Sequence, residues 1–221
     1  MLSPLIALLA ASTYTVCLDP GHPSETASGT TVQNGVQEVA LCWQVASLVR
    51  TDLQARGVRV VMTKASEMQF VTNKRRAEIA NAAKADLMVR IHADSGGGRG
   101  YTVFYPRRTG KIDGVSGPNL AIIRASETIA RKFFAAFRAA IGSELRSNGL
   151  RGDDLALVGS KQGALTGSIY SKVPVLLLEM GFLDNKTDAA WLRSAKNRSR
   201  MAQAITAGIM ATKPAQLPRS S

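Results

Sequence analysis

Cysteine and histidine each occur only twice in the 221 residues, and both scarcities exclude chemistry. Cys17 and Cys42 are too few for a disulfide scaffold. Each stands among apolar neighbours, so both are expected as buried free thiols, with one disulfide open if the helix carrying Cys42 packs on the strand carrying Cys17. No apolar run reaches the roughly 20 residues of a membrane-spanning helix. Met1 to Ala11 is a shorter apolar stretch resembling a signal-peptide core, with Ala10, Ala11 and Ser12 as a cleavage region but no Lys or Arg before it. Helix-turn-helix patterning, zinc-finger spacing and an aromatic RNA-binding motif are absent, as are internal repeats and linkers. Basic residues are also missing from the first 49 positions, where only Asp19, Glu25 and Glu38 are charged.

With 45% apolar residues, the chain has the means to fill one good-sized α/β core. Its 28 Lys and Arg against 16 Asp and Glu give a net charge of +12, all the bases lying from Arg50 onward. An acidic segment able to hold a cation therefore joins a basic remainder that attracts polyanions. Nucleic acid and an anionic cell-wall polymer meet that field equally well, and charge does not choose between them.

Hydrophobic periodicity orders the elements. Thr13 to Leu18 reads as a strand stopped by Asp19-Pro20-Gly21, and Val39, Cys42, Trp43, Ala46, Val49 and Leu53 recur at helical spacing until Gly57. Val58 to Thr63 follows as a strand, Thr72 to Lys84 as a helix and Asp86 to Ile91 as a strand. Short connections between alternating strands and helices force a parallel sheet with right-handed crossovers, so the first and third strands end on one edge. Gly96 to Gly100 lacks the Lys-Ser/Thr ending of a phosphate loop and reads as a flexible connection. Tyr101 to Tyr105 is a strand, Pro106 to Asn119 a loop, and Leu120 to Ile141 a helix burying Ile129, Phe133, Phe134 and Phe137. Leu155 to Val158 is expected as a short strand, Pro174 to Met180 as a strand covered on both faces, and Asp188 to Met210 as a closing helix.

The two histidines, His22 and His92, each follow a strand at its carboxyl end, where open α/β sheets place their chemistry. A hydrolytic zinc ion takes three protein ligands, often two imidazoles and a carboxylate, and leaves a corner for a water whose pKa falls to about 7. Glu38 opens a packed helix and Glu25 lies in the loop after His22; the rigid element favours Glu38 as the third ligand. Alone, Glu38 would read as a carboxylate favoured by the helix dipole. Glu179 closes the apolar run Pro174-Val-Leu-Leu-Leu, where an ionised group needs a buried partner or a task. Its task would be proton transfer from the activated water to the leaving nitrogen.

These residues carry a family resemblance. Leu18-Asp19-Pro20-Gly21-His22, Glu38, Arg76-Ala-Glu-Ile-Ala-Asn81, Ala85-Asp86-Leu-Met-Val-Arg-Ile-His92-Ala-Asp94 and Pro174-Val-Leu-Leu-Leu-Glu179-Met-Gly181-Phe182-Leu183-Asp184-Asn185 occur in order. Together they resemble the zinc-dependent N-acetylmuramoyl-L-alanine amidases of the amidase 3 type over about residues 16 to 210. The resemblance implies an α/β fold, a single domain with a mixed, mostly parallel sheet and helices on both faces. It implies zinc on His22, Glu38 and His92, Glu179 as the catalytic carboxylate, and hydrolysis of the amide between N-acetylmuramic acid and the L-alanine of the stem peptide. Asp19 is then a turn or supporting residue, and Arg76 and Asn81 are structural. Residues 1–12 are expected as a signal peptide or N-terminal extension, 13–212 as the catalytic domain and 213–221 as a polar tail.

The implied partner is peptidoglycan, met after export in the periplasm or cell wall by a monomer without a membrane span or specific nucleic acid. The chain departs from the family pattern in Pro23-Ser24-Glu25 after His22, where Gly-Gly is usual, and in Arg90 and Asp94 flanking Ile91-His92-Ala93, where Ser and Asn are usual. Glu25 and Asp94 are expected to add negative charge beside the metal. A blocking helix and a separate wall-binding domain, which some relatives carry, are not legible, so the basic surface is expected to hold the wall polymer itself. The rival reading is a non-catalytic peptidoglycan-binding module of the same fold.

Overall fold

The computed structural model describes residues 13–214. The expected signal peptide or extension over 1–12 and most of the tail over 213–221 lie outside the described residues. In chain order the strands are β1 Thr15–Pro20, β2 Val32–Gln33, β3 Val36–Gln37, β4 Arg59–Met62, β5 Leu87–Asp94, β6 Tyr101–Tyr105, β7 Gly110–Ile112, β8 Val115–Gly117, β9 Ser147–Gly152 and β10 Val175–Phe182. The helices are α1 Glu38–Ala55, α2 Asn73–Ala82, α3 Leu120–Ile141, α4 Gly159–Gln162, α5 Thr166–Ile169, α6 Lys186–Arg193 and α7 Ala195–Met210.

One sheet in the order β4-β1-β5-β10-β6-β9 carries the molecule. Its pairs are parallel except β10 with β6, so β4, β1, β5 and β10 all end on one edge. This is the expected mixed, mostly parallel sheet in one α/β domain. Alternation along the strands gives the two faces different contents. Val16, Leu18, Val89, Ile91, Leu176 and Leu178 join the large core under α1, α3 and α7. Phe133 and Phe137 of α3 stack with centroids 5.7 Å apart, and Tyr101 meets Phe137 edge-on at 5.0 Å. The opposite face holds a small core of Cys17, Ala80, Ala85, Met88, Val173 and Val175. Toward the carboxyl edge this second face turns polar, as the same alternation continues through Asp19, Arg90, His92 and Glu179.

Several elements differ from the sequence expectations. No strand forms at Leu155 to Val158; a single 3-10 turn covers Asp153–Leu155, and Leu155 and Leu157 remain exposed. The edge strand is β9, whose Ser-Asn-Gly-Leu-Arg-Gly sequence has no strand signature and is held by pairing with β6. The expected loop Pro106 to Asn119 contains the hairpin β7–β8. The closing helix is two helices, broken at Ser194, which takes an extended conformation (φ −69°, ψ 125°). Arg198 donates to the Arg193 carbonyl (2.6 Å) and Asn197 to that of Trp191 (3.1 Å), satisfying the end of α6. Cys17 and Cys42 are both free and buried.

The polar face is anchored on Asp19, which is 0% exposed. Its Oδ1 accepts from Thr63 Oγ1 (2.6 Å) and Arg76 Nη1 (2.6 Å), and its Oδ2 accepts from Arg90 Nε (2.8 Å). Burial alone would raise the Asp19 carboxyl, but Arg76, Arg90 and Thr63 outweigh it and hold the group well below the usual carboxylate range. That depression makes a sign-definite prediction. Removing the charge leaves two buried guanidinium groups with one acceptor lost, so Asp19→Asn is expected to lower stability by about 3–5 kcal/mol at pH 7 in urea unfolding. The wild-type advantage exists above the unfolded-state carboxylate pKa of about 3.9 and is lost as the pH falls below it. A gap that widened below pH 4 would contradict this account.

Candidate metal centre

His22, Glu38 and His92 are brought together although 16 and 54 residues separate them along the chain. One ligand atom from each lies within 4.8 Å of the others, a cluster of the type that could hold a metal ion. Glu38 is the first residue of α1 and stands between the rings: Oε2 is 3.0 Å from His22 Nε2 and Oε1 is 3.1 Å from His92 Nδ1. Oε1 also accepts from the Ala93 amide at 3.1 Å. Burial would raise this carboxyl, but the hydrogen bonds and charges of the two imidazoles hold it down at about 2.

His22 leaves β1 with φ +53°, a left-handed conformation that a non-glycine residue keeps only when its surroundings fix it. Two buried cations supply that restraint on consecutive carbonyls. Arg76 donates to Pro20 O (2.6 Å) and Pro23 O (3.0 Å), while Lys64 Nζ reaches Gly21 O (3.4 Å) and, more closely, His22 O. Lys64 is 2% exposed and lies 5.7 Å from the Trp43 ring centroid. Burial, with Arg76 beside it, lowers its pKa to about 8. His22 Nδ1 lies 3.1 Å from the Ala27 carbonyl. A carbonyl only accepts, so Nδ1 carries the hydrogen and the lone pair sits on Nε2, which faces Glu38.

His92 lies inside β5, which runs two residues past the histidine instead of ending before it. The chain crosses its ring at Gly21, where a Cβ would fall 2.6 Å from Nδ1. Burial lowers the His92 pKa, opposed by Glu38, while Glu38 raises that of His22 against desolvation. His92 Nε2 is buried without a hydrogen-bond partner among the described residues. Two imidazoles around one carboxylate match the donor set of a hydrolytic zinc site.

Glu179 stands opposite His92 in the parallel β10–β5 register, just before β10 becomes irregular. His22, His92 and Glu179 line a cavity of about 170 Å³ whose far side is Val158, Leu165 and Thr166. Glu179 Oε2 is buried with no partner. Burial and the charges of Glu38 and Asp94 push its carboxyl well above the ordinary range, against the pull of Arg90. Asp94 thus acts on the site as expected, whereas Glu25 is committed elsewhere. Both Glu25 oxygens accept from the Asn73 amide (3.1 and 2.9 Å), at the start of α2, and Oε1 also from the Asn73 side chain (3.1 Å). Asn81, expected to be structural, ties α2 to the segment after α5 through Tyr170 O (2.9 Å) and the Lys172 amide (2.7 Å). The sequence reading missed Lys64 and the inward-facing Arg90. Arg90 had a signal, a charge inside an apolar strand, the same anomaly that exposes Glu179.

The family described as N-acetylmuramoyl-L-alanine amidase matches residues 16–211. An N-acetylmuramoyl-L-alanine amidase of Mycobacterium tuberculosis is 29% identical over 191 residues, covering 83% of this chain and 71% of the relative. The amidase LytC of Bacillus subtilis is 27% identical over 197 residues, 88% of this chain. This chain spans only 34% of LytC's length, and 66% of the sporulation-specific amidase of the same organism. Among solved structures, the amidase Ami1 of Mycobacterium smegmatis superposes with a TM-score of 0.73 at 26% identity, over 91% of this chain and 97% of that one. The apo form of Ami1 from Mycobacterium abscessus gives 0.72 at 28% identity, over 92% and 99%. Sequence, fold and the extent of the match agree, and the chain belongs to the amidase 3 family of N-acetylmuramoyl-L-alanine amidases.

Proposed function

We propose that this protein is a zinc-dependent peptidoglycan amidase that cleaves the amide between the lactyl group of N-acetylmuramic acid and L-alanine of the stem peptide. The carrying observation is the convergence of His22, Glu38 and His92 beside Glu179 in a chain of this family. Imidazole with carboxylate suits zinc better than it suits calcium or magnesium. His22, Glu38 and His92 would hold the ion, which when bound polarises the scissile carbonyl and lowers the pKa of water to about 7.

Glu179 moves the protons. Its environment raises its proton affinity, so it accepts a proton from the attacking water, keeps it while the carbonyl carbon becomes tetrahedral, and gives it to the alanine nitrogen as the C–N bond breaks. Water and amide become lactyl carboxylate and a peptide amine. The parallel β10–β5 pairing that sets Glu179 beside His92 holds this carboxyl in place. A peptidoglycan substrate supports export to the periplasm or cell wall, and no helix among the described residues is long and apolar enough to cross a membrane. The net charge of +12 draws the protein toward an anionic wall.

Three outcomes test the reading. Incubation with sacculi is expected to release stem peptides with free L-alanine amino termini from intact glycan, seen by mass spectrometry, with chelation stopping the release and added zinc restoring it. Sacculus binding without release in zinc-loaded protein would favour the non-catalytic module. Glu179→Gln is expected to reduce kcat by about 10²- to 10⁴-fold while zinc content, measured by atomic absorption, stays at the wild-type level. The metal must displace a proton from His22, whose pKa Glu38 raises, so zinc affinity is expected to weaken as the pH falls from 7.5 to 5.5. A dissociation constant flat over that interval would count against His22 as a ligand.

A further inference from the structure

Among the described residues Arg90 is the single Lys or Arg lining the cavity, and its guanidinium is only partly used. The side chain is 5% exposed. Nε is spent on Asp19 (2.8 Å) and Nη2 on Asn73 Oδ1 (2.5 Å), which together fix the plane of the group. Nη1 makes no hydrogen bond among the described residues, though it is not among the fully enclosed unpartnered atoms. The nearest element over it is α5, and that element crosses with a glycine: a Cβ on Gly167 would lie 2.8 Å from Nη1 and 2.9 Å from Cζ. Gly167 therefore packs where any side chain would crowd the guanidinium, and Arg90 remains part of the cavity lining.

Charge counting points the same way. Asp19 is one carboxylate facing two guanidinium groups, Arg76 and Arg90, and so leaves one positive charge without a counterion of its own. Glu179 does not supply it directly, since its Oε2 has no partner. A buried guanidinium with a free edge is matched in shape and charge by a carboxylate.

We propose that Arg90 Nη1 binds a free carboxylate of the stem peptide and thereby marks the peptide side of the cavity. The inference rests on the amidase reading for the identity of the substrate. In that substrate the lactyl carboxyl is consumed in the scissile amide, so the acyl side is neutral there and the free carboxylates lie on the amine side. Register supports the assignment: Arg90 pairs across from Leu177, one inward-facing row before the His92–Glu179 pair. Two residues along a strand span about 6–7 Å, which is also about the reach from the alanine nitrogen to a carboxylate on the next stem residue.

The test uses zinc-loaded protein and a matched pair of peptides, L-alanyl-γ-D-glutamyl-L-lysine amide and the same peptide with the glutamyl α-carboxylate as a carboxamide. Binding is measured by calorimetry, and cleavage with the corresponding N-acetylmuramoyl peptides. Wild type is expected to favour the carboxylate form by about tenfold to a hundredfold. Arg90→Gln should bring that ratio close to one by weakening the carboxylate peptide alone, and Arg90→Lys should retain part of it.

Gly167→Ala retains both Asp19 and Arg90 but crowds a methyl group against Nη1, Cζ and Nε, so the guanidinium or α5 must give way and the same preference should erode even if Arg90→Gln does not fold. A third peptide with the carboxylate only at its C-terminus assigns the source of the anion; preferred binding of either carboxylate form supports the proposal. Equal binding of all three peptides to wild type, or an undiminished preference in both Arg90→Gln and Gly167→Ala, overturns it. Absence of cleavage with the binding preference intact would instead reject the amidase reading and leave the carboxylate site standing.

Discussion

The geometry of the site depends on a buried carboxylate that makes no contact with the cavity. Asp19 joins β1 to the residue after β4, to α2 and to β5 through Thr63, Arg76 and Arg90. Desolvating three charged groups offsets much of their attraction, so such a cluster adds less net stability than its short contacts imply. What it adds is position. Arg76, held by Asp19, fixes the carbonyls on either side of Gly21-His22, and Lys64 fixes the two between them. Without those donors nothing in the loop's own sequence keeps a histidine at φ +53°. The position of His22 is therefore set by buried cations, and the cations by a buried anion.

Two glutamates of one chemical type then acquire opposite character from their surroundings. Glu38 is bracketed by His22 and His92 and accepts the Ala93 amide, which keeps it ionised. Glu179, on the neighbouring strand, sees burial and the negative charges of Glu38 and Asp94, which favour its protonated form. Separation of this kind suits one group to ligation and the other to carrying protons. Glu38, bracketed by the two imidazoles, thus also raises the proton affinity of Glu179 through space, without a direct contact.

Much of this was legible in the residues, and what escaped did so for physical reasons. β1, β5 and β10 are apolar runs that end in charged or imidazole residues, and α3 carries its aromatics at helical spacing, so both elements and ends could be read. His22, Glu38, His92 and Glu179 were legible as a set because each is a polar group where an apolar pattern closes or a packed helix begins. β9 was not, because an edge strand of Ser, Asn, Gly and Arg owes its shape to the partner it pairs with, a tertiary effect absent from local sequence. The break at Ser194 was hidden for a similar reason: the ends of α6 are satisfied by side chains of α7, which a periodicity count does not see. Glu25 was a fair competitor to Glu38 until its carboxylate was located at the α2 terminus.

The two sides of the cavity are built to different standards of rigidity. On one side, His92 and Glu179 stand on parallel strands and Glu38 on the first residue of an 18-residue helix. On the other, Val158, Leu165 and Thr166 belong to short turns and one-turn helices between Gly152 and Tyr170. That segment hangs largely on Asp153 and Asp154: Asp153 accepts the Leu165 amide at 3.1 Å, Asp154 pairs with Arg107 at 2.6 Å, and each keeps one buried oxygen without a partner. Burial pushes the Asp153 carboxyl up to about 6, so the anchor itself carries unrelieved desolvation. A wall with few buried apolar contacts and incompletely satisfied anchors opens at lower free energy than a sheet edge. Reactive groups demand fixed positions, whereas a polymer that must be admitted and released demands a boundary that yields. The chain meets both by assigning chemistry to the sheet and enclosure to the segment that the sheet barely holds.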